Sequence, residues 1–173
     1  MGDRDLLVGD VPGFTPQVGR LVAMLTHVRS ATLAAVTGLD VVQLDYLPDA
    51  QANSIGALLL HIAASEAGYQ VATFEQRQLT AAEIDKWGAA LELSDRARGE
   101  VRGFELAYYL DHLEKVRART LAELRQRQDD WLEERSAFKD GAVNNYYKWF
   151  HVFTHEVNHR GQIRWLRRRA LSA

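Results

Sequence analysis

Residues 152–166 read VFTHEVNHRGQIRWL, and their spacing predicts a long amphipathic helix. On such a helix Val152, His155, His159, Ile163 and Leu166 form one stripe, at i, i+3, i+7, i+11 and i+14. The two histidines therefore occupy positions where the helix should present side chains to a core. Burying an imidazole is unfavourable unless its nitrogens find partners, and one metal ion would supply a partner to both. The alternative is a pair of hydrogen-bonded core histidines.

A third histidine lies in the most apolar stretch of the chain, residues 58–64 (LLLHIAA), on a second predicted helix. The residues one and two turns from His61 on the same face are small and leave room beside the imidazole: Ala57, Ala64, Ser65 and Gly68. Sites in helical bundles are built from facing helices. The pattern therefore favours one divalent metal ion held by His61, His155 and His159. Three nitrogen ligands would leave coordination positions open for water or substrate.

Helical periodicity and caps extend over most of the remaining chain. The core helices are predicted at roughly 16–38, 54–75, 104–135 and 144–170. Thr15-Pro16 is typical of a helix start, and Gly38 of a helix end. A capping-box pattern at Thr80–Glu83 opens a short extra helix between the second and third core helices. We expect an all-α four-helix bundle spanning residues 1–173 as one domain, a turn at residues 139–141, and no strand pair.

Composition excludes several classes of site. The 173 residues include no cysteine, so disulfides, cysteine-based zinc sites and thiol nucleophiles are excluded. The net charge of −2 gives no global field for nucleic acid. The N-terminus lacks a signal-peptide pattern, and the longest apolar run, around residues 55–64, is too short to span a bilayer. We expect a cytoplasmic protein that binds neither nucleic acid nor membranes.

Residues 155–159 also spell H-E-x-x-H, the zinc-binding helix of many metalloproteases. Those enzymes take a third ligand downstream, but no His, Asp or Glu follows His159. The third ligand must come from upstream, which again indicates His61. Glu156 could act as a general base on metal-bound water or form a surface salt bridge with Arg160, and we favour the salt bridge.

Two segments together resemble the DinB/YfiT superfamily. Residues 53–56 (NSIG) lead into residues 60–63 (LHIA), and residues 151–163 read HVFTHEVNHRGQI near the C-terminus. The resemblance covers nearly the whole chain and implies an up-down-down-up bundle, often dimeric. It implies that His61, His155 and His159 are the metal ligands. His151 matches a position beside the ligands, and Gly161 matches a family glycine that we expect to permit close packing.

The resemblance also implies a range of functions. Better understood members are metal-dependent transferases or isomerases that use a small thiol such as bacillithiol or mycothiol. We therefore expect a metal-dependent S-transferase or hydrolase acting on a small molecule, with Glu156 and His151 as candidate proton-handling residues and a homodimeric assembly. Zinc or nickel is the preferred ion, with iron or manganese as alternatives. The competing hypothesis is a non-catalytic stress-response or interaction module in which the metal only joins two helices.

Overall fold

In the computed structural model, residues 7–138 and 141–172 are described. The helices follow one another as α1 (Pro16–Val36), α2 (Val41–Leu44), α3 (Ile55–Gln70), α4 (Ala81–Glu92), α5 (Asp95–Glu100), α6 (Leu106–Leu124) and α7 (Asn145–Ala170). A π-helical turn, Val71–Glu75, extends α3, and a 3-10 turn covers Asp129–Glu133. Two short antiparallel strands, β1 (Arg135–Phe138) and β2 (Gly141–Asn144), precede α7.

The long helices α1, α3, α6 and α7 form a four-helix bundle with the expected up-down-down-up topology. Contacts between helices give the direction of each helix. Between α1 and α7 they are Arg29–Glu156 and the Arg167 side chain with the Ala35 carbonyl. Between α3 and α7 they are His61–His155 and Tyr69–His151, and between α3 and α6 they are Glu66–Arg117 and Gln70–Thr120. Thus α1 and α7 run parallel, while α3 and α6 run together in the opposite direction. The predicted all-α fold is confirmed.

The helix starts follow local chemistry. Ser54 accepts a hydrogen bond from the Ala57 amide at the start of α3, and Thr80 and Glu83 form the predicted capping box at the start of α4. Thr15 stands at the N-cap of α1 as expected, but its side chain makes no capping bond. Asp129 accepts instead from the amides of Gln17 and Val18, at 3.0 and 3.2 Å. An acidic side chain distant in sequence therefore caps α1.

The predicted third core helix is wrong at its C-terminal end: α6 stops at Leu124 rather than near residue 135. The chain turns there because Asp129 reaches the start of α1, and the 3-10 turn places Trp131 in the core, where it is 5% exposed. The expectation of no strand pair is also wrong, since β1 and β2 form a hairpin with Arg135 opposite Asn144. The predicted turn at residues 139–141 lies partly outside the described residues, at positions 139 and 140.

Two apolar clusters fill the bundle. One packs around α3, α6 and the C-terminal half of α7, with Leu59, Tyr109 and Ile163 fully buried. The other lies at the start of α1 with Trp149 and Trp131. Burial of these apolar side chains is the main favourable term in the stability of the bundle.

Gly56 and Gly161 differ in whether their surroundings have room for a Cβ atom. A Cβ on Gly56 would lie 2.6 Å from Tyr109 Cζ, so glycine is needed where α3 meets α6. A Cβ on Gly161 would meet nothing within 4 Å. Our expectation that Gly161 permits close packing within the chain is therefore wrong.

None of the helices within the described residues is both long enough and apolar enough to cross a membrane.

Candidate metal centre

Three histidine side chains converge between α3 and α7. The Nε2 atoms of His61 and His155 lie 3.0 Å apart, as do those of His155 and His159. All three candidate ligand atoms lie within 4.8 Å of one another, and each side chain is partly buried. His155 and His159 are one helical turn apart on α7, and antiparallel α3 brings His61 to the same level. The residues that the sequence spacing selected therefore lie together.

Hydrogen bonds orient two of the three imidazoles. His61 Nδ1 lies 2.8 Å from the Ala90 carbonyl oxygen and donates to it. Ala90 belongs to the last turn of α4, where carbonyls lack partners within the helix. His159 Nδ1 lies 2.7 Å from Gln162 Oε1 and donates to it. A neutral imidazole that donates from Nδ1 has a free lone pair on Nε2, which is the form that binds a metal.

The surroundings keep the histidines neutral. Burial lowers the pKa of His61, although the hydrogen bond to Ala90 opposes this effect. Burial, and then the neighbouring His159, His61 and His151, lower the pKa of His155 to about 3. Burial also lowers the pKa of His159, against the opposing hydrogen bond with Gln162. Protons therefore compete weakly with a metal ion for these nitrogens at neutral pH.

The donor set fits a divalent cation. Because His61 and His159 donate from Nδ1, their Nε2 lone pairs both face His155 Nε2 at 3.0 Å. A proton on His155 Nε2 could be donated to only one of the two facing lone pairs. A cation between the three nitrogen atoms would interact favourably with the lone pair of each. Histidine nitrogens suit zinc, nickel, copper and iron. Within the described residues no fourth His, Asp or Glu joins this group, which leaves room for a further ligand.

His151 lies one turn before His155 and is exposed. Its ring centroid is 5.8 Å from that of His155 and 5.7 Å from that of Tyr69. His151 therefore lies beside the three-histidine cluster rather than within it.

Glu156 points away from the histidines into the centre of the bundle. Its side chain is 1% exposed, and its oxygens accept from Arg29 Nε at 2.9 Å and from Arg117 Nη2 at 3.1 Å. The favoured surface salt bridge between Glu156 and Arg160 is therefore wrong. Residues 155 and 156 differ by about 100° around a helix, so one side chain can face the histidine cluster while the next faces the core.

Glu156 belongs to a buried charge layer formed by Arg29, Glu66, Arg117 and Glu156, one residue from each core helix. Glu66 Oε1 accepts from Arg117 Nε at 2.7 Å, and Glu66 Oε2 accepts from Arg29 Nη2 at 2.9 Å. The arginines also donate to backbone carbonyls, Arg29 to Leu113 and Arg117 to Leu25. The two positive and two negative charges balance, as buried ionic groups require.

Electrostatics keep Glu66 ionised within this layer. Burial alone would raise the pKa of Glu66, but the charges of Arg117 and Arg29, with hydrogen bonds from Arg117 and Thr120, lower it to about 2. The sequence patterns considered above did not predict this layer. The sequence feature that could have indicated the layer is a single charged residue on the inward face of a predicted helix. Arg29 follows the apolar Leu25 by four residues, and Glu66 is the one charged residue of α3.

The bundle and its histidine cluster together define a helical protein with a candidate metal centre between α3 and α7. The chain belongs to the DinB superfamily, whose sequence model matches residues 24–163. The solved structure of a conserved protein from Enterococcus faecalis is similar, with a TM-score of 0.68 and 18% identity over 88% of this chain and 96% of that one. At that identity the likeness shows the fold alone. A comparison with curated proteins gives no match.

Proposed function

We propose that the protein is a divalent-metal-dependent enzyme that brings a small thiol or a water molecule to a small electrophilic substrate. The reaction class would be S-transfer or hydrolysis. The observation that carries this proposal is the convergence of three partly buried Nε2 atoms without a fourth protein ligand in the described chain. When bound, a divalent ion at this place supplies a Lewis acid that lowers the pKa of a thiol or water. Zinc or nickel is the preferred ion.

Residues of the chain would bind the ion, orient its ligands and transfer protons. His61, His155 and His159 would hold the ion, while the Ala90 carbonyl and Gln162 keep two of the imidazoles in the binding tautomer. Both oxygens of Glu156 accept from guanidinium groups, so we assign Glu156 to positioning α7 rather than to proton transfer. His151 is exposed beside His155 and is our candidate for proton transfer to or from a bound substrate.

Spectroscopy of the cobalt-substituted protein tests whether the open positions accept a substrate. We expect a thiol such as 2-mercaptoethanol to add a saturable thiolate-to-cobalt absorption band, because a site with three protein ligands leaves a position for it. A His155→Ala variant, which lacks one ligand, should show no such band. Tight cobalt binding with a spectrum that neither thiols nor azide change would contradict an enzymatic role. That result would favour the alternative in which the ion only joins α3 to α7.

We also propose that the protein assembles as a homodimer. Large apolar side chains on α7 are exposed, including Phe150 at 48% and Trp165 at 41%. Analytical ultracentrifugation at micromolar concentration should give twice the chain mass, and a monomer at all concentrations would contradict the proposal.

A further inference from the structure

A cleft of about 550 Å³ opens where the C-terminal end of α3 meets the start of α7. The π-helical turn, the segment after it and the β hairpin complete its walls. Most of the residues that line it have polar side chains, including Thr73, Gln78, Ser136 and Asn145. A cleft of this volume is in the range of small-molecule sites.

Positive side chains dominate the charge of the cleft. Arg77, Arg135 and Lys148 line it together with one acid, Glu134. Arg77 is already paired with Glu75 and Glu83 on the surface. Lys148 is partly buried, and its Nζ has only a long contact of 3.5 Å to Asn145 Oδ1.

Lys148 forms no salt bridge with any residue that the structure describes. Burial lowers the pKa of Lys148, because a partly buried ammonium group is less well solvated than an exposed one. A half-buried cation without a counter-charge is stabilised by an anion that enters the cleft.

The cleft lies two turns from the histidine cluster, because Lys148 and His155 share one face of α7. Lys148 precedes His155 by seven residues, which on a helix is a rise of about 10 Å. Tyr69 lines the cleft and also contacts the ring of His151, which in turn contacts His155. A small molecule that spans about 10 Å could therefore place one group in the cleft and another beside the three histidines.

We infer that this cleft binds the carboxylate or phosphate group of the small molecule whose reactive atom lies at the three-histidine centre, with Lys148 as the principal counter-charge. The inference rests on the proposed enzymatic function and names its substrate class as a small organic anion. Asn145 and Thr73 add neutral polar groups to the lining of the cleft, and Arg135 adds a second positive charge at the hairpin.

Titration with inorganic phosphate, and separately with succinate, tests this inference, with NMR amide shifts and calorimetry as the readouts. We expect both anions to shift amides that line the cleft, and the tighter one identifies the preferred group. Lys148→Gln should weaken binding about tenfold, the loss typical of one charge-assisted hydrogen bond. Lys148→Arg, which keeps the charge, should stay within about threefold of wild type.

Lys115→Gln is the matched control. Lys115 is 75% exposed on α6 and pairs with Asp111 at 2.8 Å, away from the cleft. Its replacement should leave anion affinity unchanged, and circular dichroism should show that every variant is folded. Equal affinity in wild type and Lys148→Gln, or shifts confined to residues outside the cleft, would overturn the inference.

The same titration on metal-loaded and metal-stripped protein separates this inference from the proposed function. The counter-charge is supplied by the protein, so we expect anion binding in both forms. Binding that disappears with the metal would place the anion on the ion, which overturns the cleft assignment but leaves the metal-dependent function standing. Binding that persists in a protein with no affinity for metals would support the cleft while the proposed function fails.

Discussion

Glu156 shows how the environment of one side chain fixes its role. It lies beside a candidate metal ligand in the sequence, but its carboxylate is buried between Arg29 and Arg117. Replacing it with glutamine leaves two buried guanidinium groups with one carboxylate, and the loss of one partner from a buried ion network typically costs about 3–5 kcal/mol. We expect Glu156→Gln to lower the free energy of unfolding by about 3 kcal/mol in urea denaturation.

Glu123→Gln is the control for that change. Glu123, at the end of α6, pairs with Arg127 just beyond that helix, and the two side chains are 36% and 29% exposed. Because water screens such a pair, its loss should cost at most about 1 kcal/mol. Similar effects of the two substitutions would contradict the buried charge layer.

We expect a substitution of Gln162 to change the metal affinity only. Its side chain is exposed and accepts the Nδ1 proton of His159. We expect Gln162→Ala to weaken metal binding about 10–100-fold, because partners of this kind orient a ligand and raise its basicity. Competition with a chromophoric chelator measures the affinity. Asn158→Ala, at an exposed position on the same helix, should bind metal as wild type does, and equal losses in both variants would contradict this role.

At the scale of the elements, α1 depends on a cap from the segment that follows α6. Asp129→Ala removes the acceptor for the Gln17 and Val18 amides and should lower the stability, because the N-terminus of α1 loses its cap. Thermal and urea unfolding measure the change. Asp130→Ala, an exposed neighbour, should be nearly neutral. The assignment fails if the two substitutions have equal effects.

The elements that the sequence predicted well are those whose signals are local. The starts of α3 and α4 follow from caps within three residues, and the stripe on α7 lies within one helix. The end of α6 could not be predicted, because the apolar spacing continues from Leu124 to Trp131 and the interaction that ends the helix is with α1. The pairing of Glu156 was misjudged for the same reason: Arg160 is local, whereas its actual partners lie on α1 and α6.

At the scale of the whole molecule, the charge layer makes stability depend on pH. The folded-state pKa of Glu66 is about 2 and its ordinary value is 4.5, so the unfolded chain binds the extra proton between these values. The stability that Glu66 contributes is present above pH 4.5 and is lost as the pH falls toward 2. A shift of this size corresponds to about 3 kcal/mol.

The direct measurement is a carbon NMR titration of the Glu66 carboxyl group, run beside urea denaturation from pH 7 to pH 3. We expect the Glu66 signal to remain that of a carboxylate down to pH 3 while the free energy of unfolding declines below pH 4.5. Titration of Glu66 near its ordinary pKa in the folded protein would contradict the electrostatic account of the core.

The metal content per chain measures whether one divalent ion binds at His61, His155 and His159. We predict close to one ion per chain in the wild type and in His27→Ala, a control at an exposed histidine of α1. We predict loss of the ion in folded His61→Ala, His155→Ala and His159→Ala. A wild-type protein without stoichiometric metal after reconstitution, or full metal content in any of the three variants, would contradict the account.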